Sequence, residues 1–218
     1  MKYLLLLINP GSTSTKFGVY STKEGKCLFE HEILHDKSKL EEFSHLIDQK
    51  EYRKQLILSV IGAEGFKKEE FQAVVGRGGL LKPGEGGVYM ITHPMLEDLE
   101  TCKYGTHASN LGAIIAHEVA SSWNVTSFIA DCVSVDEFEP FAHVSGIKGV
   151  NRKARAHVLN LRQVAHMTAA ELEMDIDDTH LIGVHLGGGI TVSAMRSGKF
   201  IDVNNALLGE GPFSPERT

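Results

Sequence analysis

A chain of 218 residues that is 42% hydrophobic and 23% charged has the composition of an ordinary globular protein, and at this length about 70% of the surface exposed on unfolding can be buried. Its net charge of −6, with no basic run denser than Arg152, Lys153 and Arg155, argues against nucleic acid as the main partner. Three scattered cysteines, Cys27, Cys102 and Cys132, fit reduced cytoplasmic thiols better than a disulfide framework or a zinc site.

In chain order, Leu4–Ile8 is continuously apolar and reads as a strand buried on both faces. It is too short for a signal peptide, and Asn9-Pro10-Gly11 ends it; with no span long enough for a membrane, a cytoplasmic protein is expected. Lys16–Tyr20 reads as an antiparallel return, and Cys27–Ile33 as a third strand after a Lys23-Glu24-Gly25 turn. Ser38 with Glu41 suggests a capping box before a helix carrying Leu40, Phe43, Leu46 and Ile47. Leu56, Ile57, Val60 and Ile61 continue a helical stripe. Ala73-Val74-Val75 is a strand entering the glycine-rich stretch Gly76–Gly87. Leu111, Ile114, Ile115 and Val119 mark an amphipathic helix, Thr126–Ala130 a strand, and Val158, Leu161, Ala165, Ala169 and Leu172 a long helix. Three strand-like pieces follow: His180–Leu186, Ile190–Met195 and Phe200–Val203. The opening pattern thus restarts near residue 180, as in a duplicated α/β fold with domains over 1–165 and 166–218, the second incomplete.

Asn9-Pro10-Gly11-Ser12-Thr13-Ser14-Thr15-Lys16 carries the clearest chemistry. A tight turn of Gly, Ser and Thr gathers backbone N–H groups and hydroxyls at one point, as a phosphate requires, and Lys16 adds a point charge. A plain hairpin turn is the alternative. Gly187-Gly188-Gly189 occupies the equivalent turn of the second copy; it would let a backbone approach a ligand closely or reach positive φ, or it is simply a flexible hairpin. Two such turns could grip one polyphosphate. Arg77, among glycines at a strand end, could reach a carboxylate or phosphate bidentately, or be an exposed loop residue. Asp131 follows a strand, where α/β proteins place catalytic side chains. Asp136, Glu137 and Glu139 could help it hold Mg²⁺, although a solvated acidic loop explains those three more simply. His107 and His157 read as structural histidines at helix starts.

The strings INPGSTSTK, VVGRGGLLKPG, HASNLGAIIA, HVLNLRQVA, HLGGGITVSA and IDVNNALLGEGPFSPER, in this order, closely resemble butyrate kinases, relatives of acetate kinase in the acetate and sugar kinase/Hsp70/actin superfamily. The resemblance implies a two-domain actin-like (ribonuclease H-like) fold with ATP and Mg²⁺ in a cleft. It also implies reversible phosphoryl transfer between ATP and butanoate. Because a carboxylate is already a nucleophile, direct transfer is expected, and the exposed edges of a half-built second sheet point to a homo-oligomer, with neither nucleic acid nor membrane as partner. Asn9, Gly11, Ser12, Ser14 and Lys16 would form the first phosphate motif, and His185, Gly187, Gly188 and Gly189 the second. Asp131 would be the catalytic aspartate near the metal, and Arg217 would stabilise the transferring phosphoryl group. Arg77 would bind the acid, with His157 nearby. Acetate kinases carry His-Gly-Gly in place of Arg77-Gly78-Gly79, and a second histidine where this chain has Lys153; both differences favour the butyrate-type branch. The residues end before the family's adenosine-binding segment. A propionate or branched-chain fatty acid kinase, or a non-catalytic phosphate-binding fragment, are the alternatives.

Overall fold

The computed structural model describes residues 3–187 and 189–205; Gly188 and Arg217 lie outside the described residues. Two compact units emerge. The first runs to Leu81 and resumes over Val88–Ala130; the second takes Lys82–Gly87 and continues from Asp131.

In the first unit β1 (Leu4–Pro10), β2 (Ser14–Ser21) and β3 (Lys26–Leu34) form an antiparallel meander. After α1 (Lys37–Glu41) and α2 (Lys50–Ala63), β4 (Phe71–Arg77) lies parallel to β1. Then come β5 (Val88–Met90), α3 (His93–Glu100), α4 (Asn110–Trp123) and β6 (Thr126–Ala130), giving a six-stranded sheet ordered β3-β2-β1-β4-β6-β5. The meander, the strands β4 and β6 and the helix α4 stand where the sequence pattern puts them, and β4 and β6 pair in parallel. β5 and α3 do not appear in that pattern: β5 is three exposed residues without a period, and α3, although amphipathic with Leu96 and Leu99 buried, is only eight residues long.

Two expectations need correction. Leu4–Ile8 is not buried on both faces: Leu6 and Ile8 are buried, but Leu7 is 37% exposed. The alternation follows from position, since only the face bearing Leu6 and Ile8 meets the helices. The cap of α1 is Asp36, whose carboxylate accepts from the Ser38 N–H, so Ser38 is inside the helix rather than capping it.

Helix α4 lies against β1, β4 and β6, with α2 and α3 beside it. Its first half is buried almost all round, from Asn110 through Ala116. Glycine makes the approach possible: a Cβ on Gly76 of β4 would lie 2.2 Å from the Gly112 carbonyl oxygen of α4. Neither backbone can yield without lifting the helix off the sheet.

The second unit holds α5 (Val158–Glu171) and an antiparallel sheet ordered β7 (His180–Leu186), β8 (Ile190–Arg196) and β9 (Lys199–Val203). Its core gathers Val135, Phe138, Val158, Leu161, Met195 and Phe200. The repeat of strand, turn, strand, strand expected from the sequence is therefore present. Among the described residues no helix is long and apolar enough to cross a membrane.

Gly76→Ala should destabilise the first unit by about 3 kcal/mol, at the upper end for overpacking, because the clash is with backbone. Gly62→Ala in α2, where a Cβ meets nothing within 4 Å, should stabilise by up to about 1 kcal/mol. Urea unfolding of the two variants beside the parent measures both; equal midpoints would contradict the packing assigned to Gly76.

Candidate functional site

The turn between β1 and β2 has its acceptors and donors sorted to opposite sides. Gly11 N–H donates to Ser14 O (2.8 Å), closing the turn, and His35 N–H donates to Thr13 O (2.9 Å). From below, the wholly buried Arg53 of α2 donates through Nη1 to Gly11 O (2.9 Å), Ser14 O (3.0 Å) and Thr15 Oγ1 (2.9 Å). Its Nη2 reaches Ser12 O (3.3 Å), and Gln49 Oε1 accepts from Nη2 at 2.8 Å and Nε at 3.1 Å. Every carbonyl from Gly11 to Ser14 is thus engaged. Among the described residues, the N–H groups of the exposed Ser12 and Thr13 have no partner, and neither do the hydroxyls of Ser12, Thr13 and Ser14.

Sheet register places further polar groups beside this turn. Asn9 of β1 faces Lys16 of β2, and Arg77 ends the neighbouring strand β4. Arg77 Nη1 donates to Asn9 Oδ1 at 3.4 Å, and burial pushes the guanidinium below its ordinary pKa. It remains charged at neutral pH. Lys16 Nζ lies 2.8 Å from Glu30 Oε1, and this hydrogen-bonded pairing raises its pKa. An exposed pair of this kind contributes little and is readily exchanged for another anion. Gly11 itself needs no special backbone: a Cβ there would meet only ordinary contacts at 3.5 Å.

In the second unit Asp131 has φ +35°, a left-handed conformation that costs a non-glycine residue about 1 kcal/mol or more. Its Oδ1 accepts from Gly87 N–H (2.9 Å), and its own N–H donates to Gly87 O (3.0 Å). Arg162 of α5 sets Nε 3.1 Å from Asp131 Oδ2, an ion pair without hydrogen-bond alignment, and Nη2 3.0 Å from Glu137 Oε1. Glu137 also accepts from Gly86 N–H (2.9 Å) and Phe200 N–H (2.9 Å). It is buried and fully used, which corrects the picture of a solvated acidic loop. Asp136 accepts from Phe138 N–H, and Glu139 pairs with Arg196. Among the described residues no group of three or more His, Cys, Asp or Glu side chains is arranged around a metal position. One guanidinium against the buried carboxylates of Asp131 and Glu137 leaves one negative charge over. Beside them, burial and then the Asp131 charge push the Cys132 thiol up to about 12, so it is no nucleophile at neutral pH.

The two histidines expected at a site come together. His157, at the start of α5, and His185, near the end of β7, stack with ring centres 3.9 Å apart. His157 Nδ1 is hydrogen-bonded to the buried Thr191 hydroxyl (2.8 Å), and Asn160 Oδ1 accepts from His185 Nδ1 (2.9 Å). Gly187 is not at positive φ, and a Cβ there would lie 3.2 Å from His185 Nε2, so a side chain would press the imidazole by a few tenths of an ångström. Arg53 and Arg162 carry much of both arrangements, and sequence reasoning passed over them. The available signal was a charged residue in line with Ile57 and Ile61, the buried positions of α2.

His35 reports on this packing. Its Nε2 is 2.8 Å from Thr15 Oγ1, and burial, then the Arg53 charge, lowers its pKa from 6.5 to about 4. The unfolded chain therefore takes up a proton first as pH falls. Stability is complete above about pH 6.5 and is lost from there towards about pH 4, by at most about 1.4 kcal/mol per pH unit. Thermal unfolding between pH 7 and 5 should show a steeper decline for the parent than for His35→Gln; equal slopes would contradict it.

No protein-family model matches the chain. Solved structures do. The acetate kinase of Porphyromonas gingivalis superposes with a TM-score of 0.66 at 18% identity, over 94% of this chain and 57% of that one. A propionate kinase from Francisella tularensis subsp. tularensis gives 0.63 at 15% identity, over 95% and 58%. The acetate kinase of Entamoeba histolytica gives 0.62 at 15%, over 93% and 55%. This chain therefore spans a little more than half the length of each. At such identities the likeness establishes the fold, and the fold is the mixed α/β actin-like ATPase architecture of the acetate and propionate kinases.

Proposed function

We propose that this chain carries the phosphate-gripping part of an ATP-dependent carboxylate kinase whose acid is butanoate. One observation carries the reading: in the β1–β2 turn every carbonyl is tied inward, while among the described residues the N–H groups of Ser12 and Thr13 have no partner, beside Asn9, Lys16 and Arg77. Converging unpaired donors with cationic neighbours suit a phosphate's acceptor oxygens. The resemblance of the six sequence strings to butyrate kinases supplies the substrate.

In this reading a carboxylate oxygen of the acid attacks the terminal phosphorus of ATP. The new O–P bond forms as the bond to the ADP oxygen breaks, and ADP leaves with that electron pair. The acid is already a nucleophile, so no strong base is required. The task is to bring two anions together, which is a matter of position and charge neutralisation. The Ser12 and Thr13 N–H groups, the Ser14 hydroxyl and Lys16 hold phosphate oxygens, with Lys16 leaving Glu30 to do so. Arg77 orients the carboxylate. His185, Gly187 and Gly189 line the second turn, and His157 donates a hydrogen bond to a phosphoryl oxygen. Gly188 and Arg217, which the resemblance adds to this set, belong to the same proposal.

The residues present fit Mg²⁺ through water rather than as a closed cage. Asp131 Oδ2 already faces Arg162 and Oδ1 already accepts from Gly87, yet the pair with Glu137 carries one uncompensated negative charge. When bound, the ion would neutralise developing phosphate charge; Asp131 would orient its water ligands. A propionate kinase is the second reading, favoured by the likeness to the Francisella enzyme, because pocket methylenes discriminate by only about 1–3 kcal/mol each.

Acyl phosphate trapped as hydroxamate, measured with acetate, propionate, butanoate and branched acids, tests the reading. Butanoate should give the highest kcat/KM. Asp131→Asn keeps the acceptor for Gly87 and should lower kcat about a hundredfold; near-normal turnover would remove Asp131 from the site. Arg77→Ala should raise the KM for the acid tenfold or more. A labelled phosphoryl-enzyme in a single turnover would defeat direct transfer.

A further inference from the structure

The guanidinium of Arg53 is fully buried, and among the described residues no carboxylate pairs with it. All its partners are neutral: the carbonyls of Gly11, Ser12 and Ser14, the Thr15 hydroxyl and the Gln49 amide. A buried cation without a counter-ion is costly and rarely tolerated without a reason. The neighbouring His35, its pKa lowered, adds no negative charge.

Where the charge points supplies the reason. Nη1 bonds Gly11 O and Nη2 bonds Ser12 O. Those carbonyls belong to the peptide groups whose other ends are the Ser12 and Thr13 N–H. A trans peptide directs its C=O and N–H oppositely, so the donors without a partner point away from Arg53. Each bonded carbonyl polarises its own N–H in a low dielectric. The field of the cation thus leaves the fold through two peptide dipoles at the mouth of the turn.

We infer that the counter-ion of Arg53 is the polyphosphate bound at the Gly11–Ser14 turn, which makes Arg53 a positioning residue that holds the turn and a fixed charge that draws the anion to it. The inference rests on the phosphate reading of the turn. It also explains why the amide of Gln49, rather than a glutamate, sits 2.8 Å from the guanidinium: an internal carboxylate would neutralise the charge before the ligand arrived.

The test is Gln49→Glu, which is isosteric, with Gln49→Met removing the same hydrogen bonds without adding charge. Calorimetric titration of the 218-residue chain with inorganic tripolyphosphate gives the readout, and Lys16→Ala reports on the turn. Gln49→Glu should raise the unfolding midpoint of the ligand-free chain and weaken tripolyphosphate about tenfold, the size expected for a cation cancelled several ångströms from the anion. Gln49→Met should stay within about threefold; a loss as large as that of Gln49→Glu would show that the contact acts through structure alone and would overturn the inference. If Lys16→Ala weakens binding while Gln49→Glu leaves it unchanged, the turn keeps its phosphate reading and the inference for Arg53 is overturned. If the parent chain fails to bind tripolyphosphate, or binds it regardless of Lys16, the phosphate reading fails and the inference falls with it.

Discussion

Arg53, a buried cation with no acid partner among the described residues, organises the first unit's chemistry. Its Nη1 and Nη2 groups draw the Gly11, Ser12 and Ser14 carbonyls of one short hairpin turn towards α2, and the geometry of the peptide bond then turns the adjacent N–H groups to the solvent side. The β1–β2 register sets Asn9 opposite Lys16 at the mouth of that turn, and the parallel pairing of β1 with β4 brings Arg77 alongside. The close glycine contact of β4 with α4 holds β4 in place. Remove the charge under the turn and its polar groups lose the reason to be sorted.

The second unit solves the opposite problem with the same residue type. There Arg162 sits between two buried carboxylates, Asp131 and Glu137, and backbone N–H groups of Gly86, Gly87 and Phe200 complete their hydrogen bonding. Gly86 leaves room for this, since a Cβ would lie 2.1 Å from Arg162 Nη2. Asp131 is held in a strained backbone state by interactions on three sides, a pattern found where a side chain must point in one direction. One unit therefore carries a buried positive charge in excess, and the other a negative one.

Much of this was legible in the residues. Asn9-Pro10-Gly11 signals the turn after β1: the strand runs through Pro10, which pairs with Thr15, and stops before Gly11, and β7 likewise stops at Leu186 before Gly187. Leu111 to Val119 shows the helix that covers the sheet. What stayed hidden depends on pairs distant in sequence. Arg53 binds backbone carbonyls, which leave no trace in residue identity, and Arg162 finds its acids only once α5 is packed. Asp36 displaced Ser38 as the cap because an extended residue directly before the helix can reach the free N–H. β5 is short and exposed, so no period reveals it.

The account turns on the Ser12 and Thr13 amides being the donors that meet an anion. Backbone amide resonances of the isotopically labelled chain, followed by two-dimensional NMR during titration with inorganic tripolyphosphate, address those two groups directly. The expected result is a saturating downfield shift of the Ser12 and Thr13 N–H signals, larger than at any other amide of the first unit, with Gly11 N–H, already bonded within the turn, moving little. Saturation of the chain with those two signals unmoved would contradict the account.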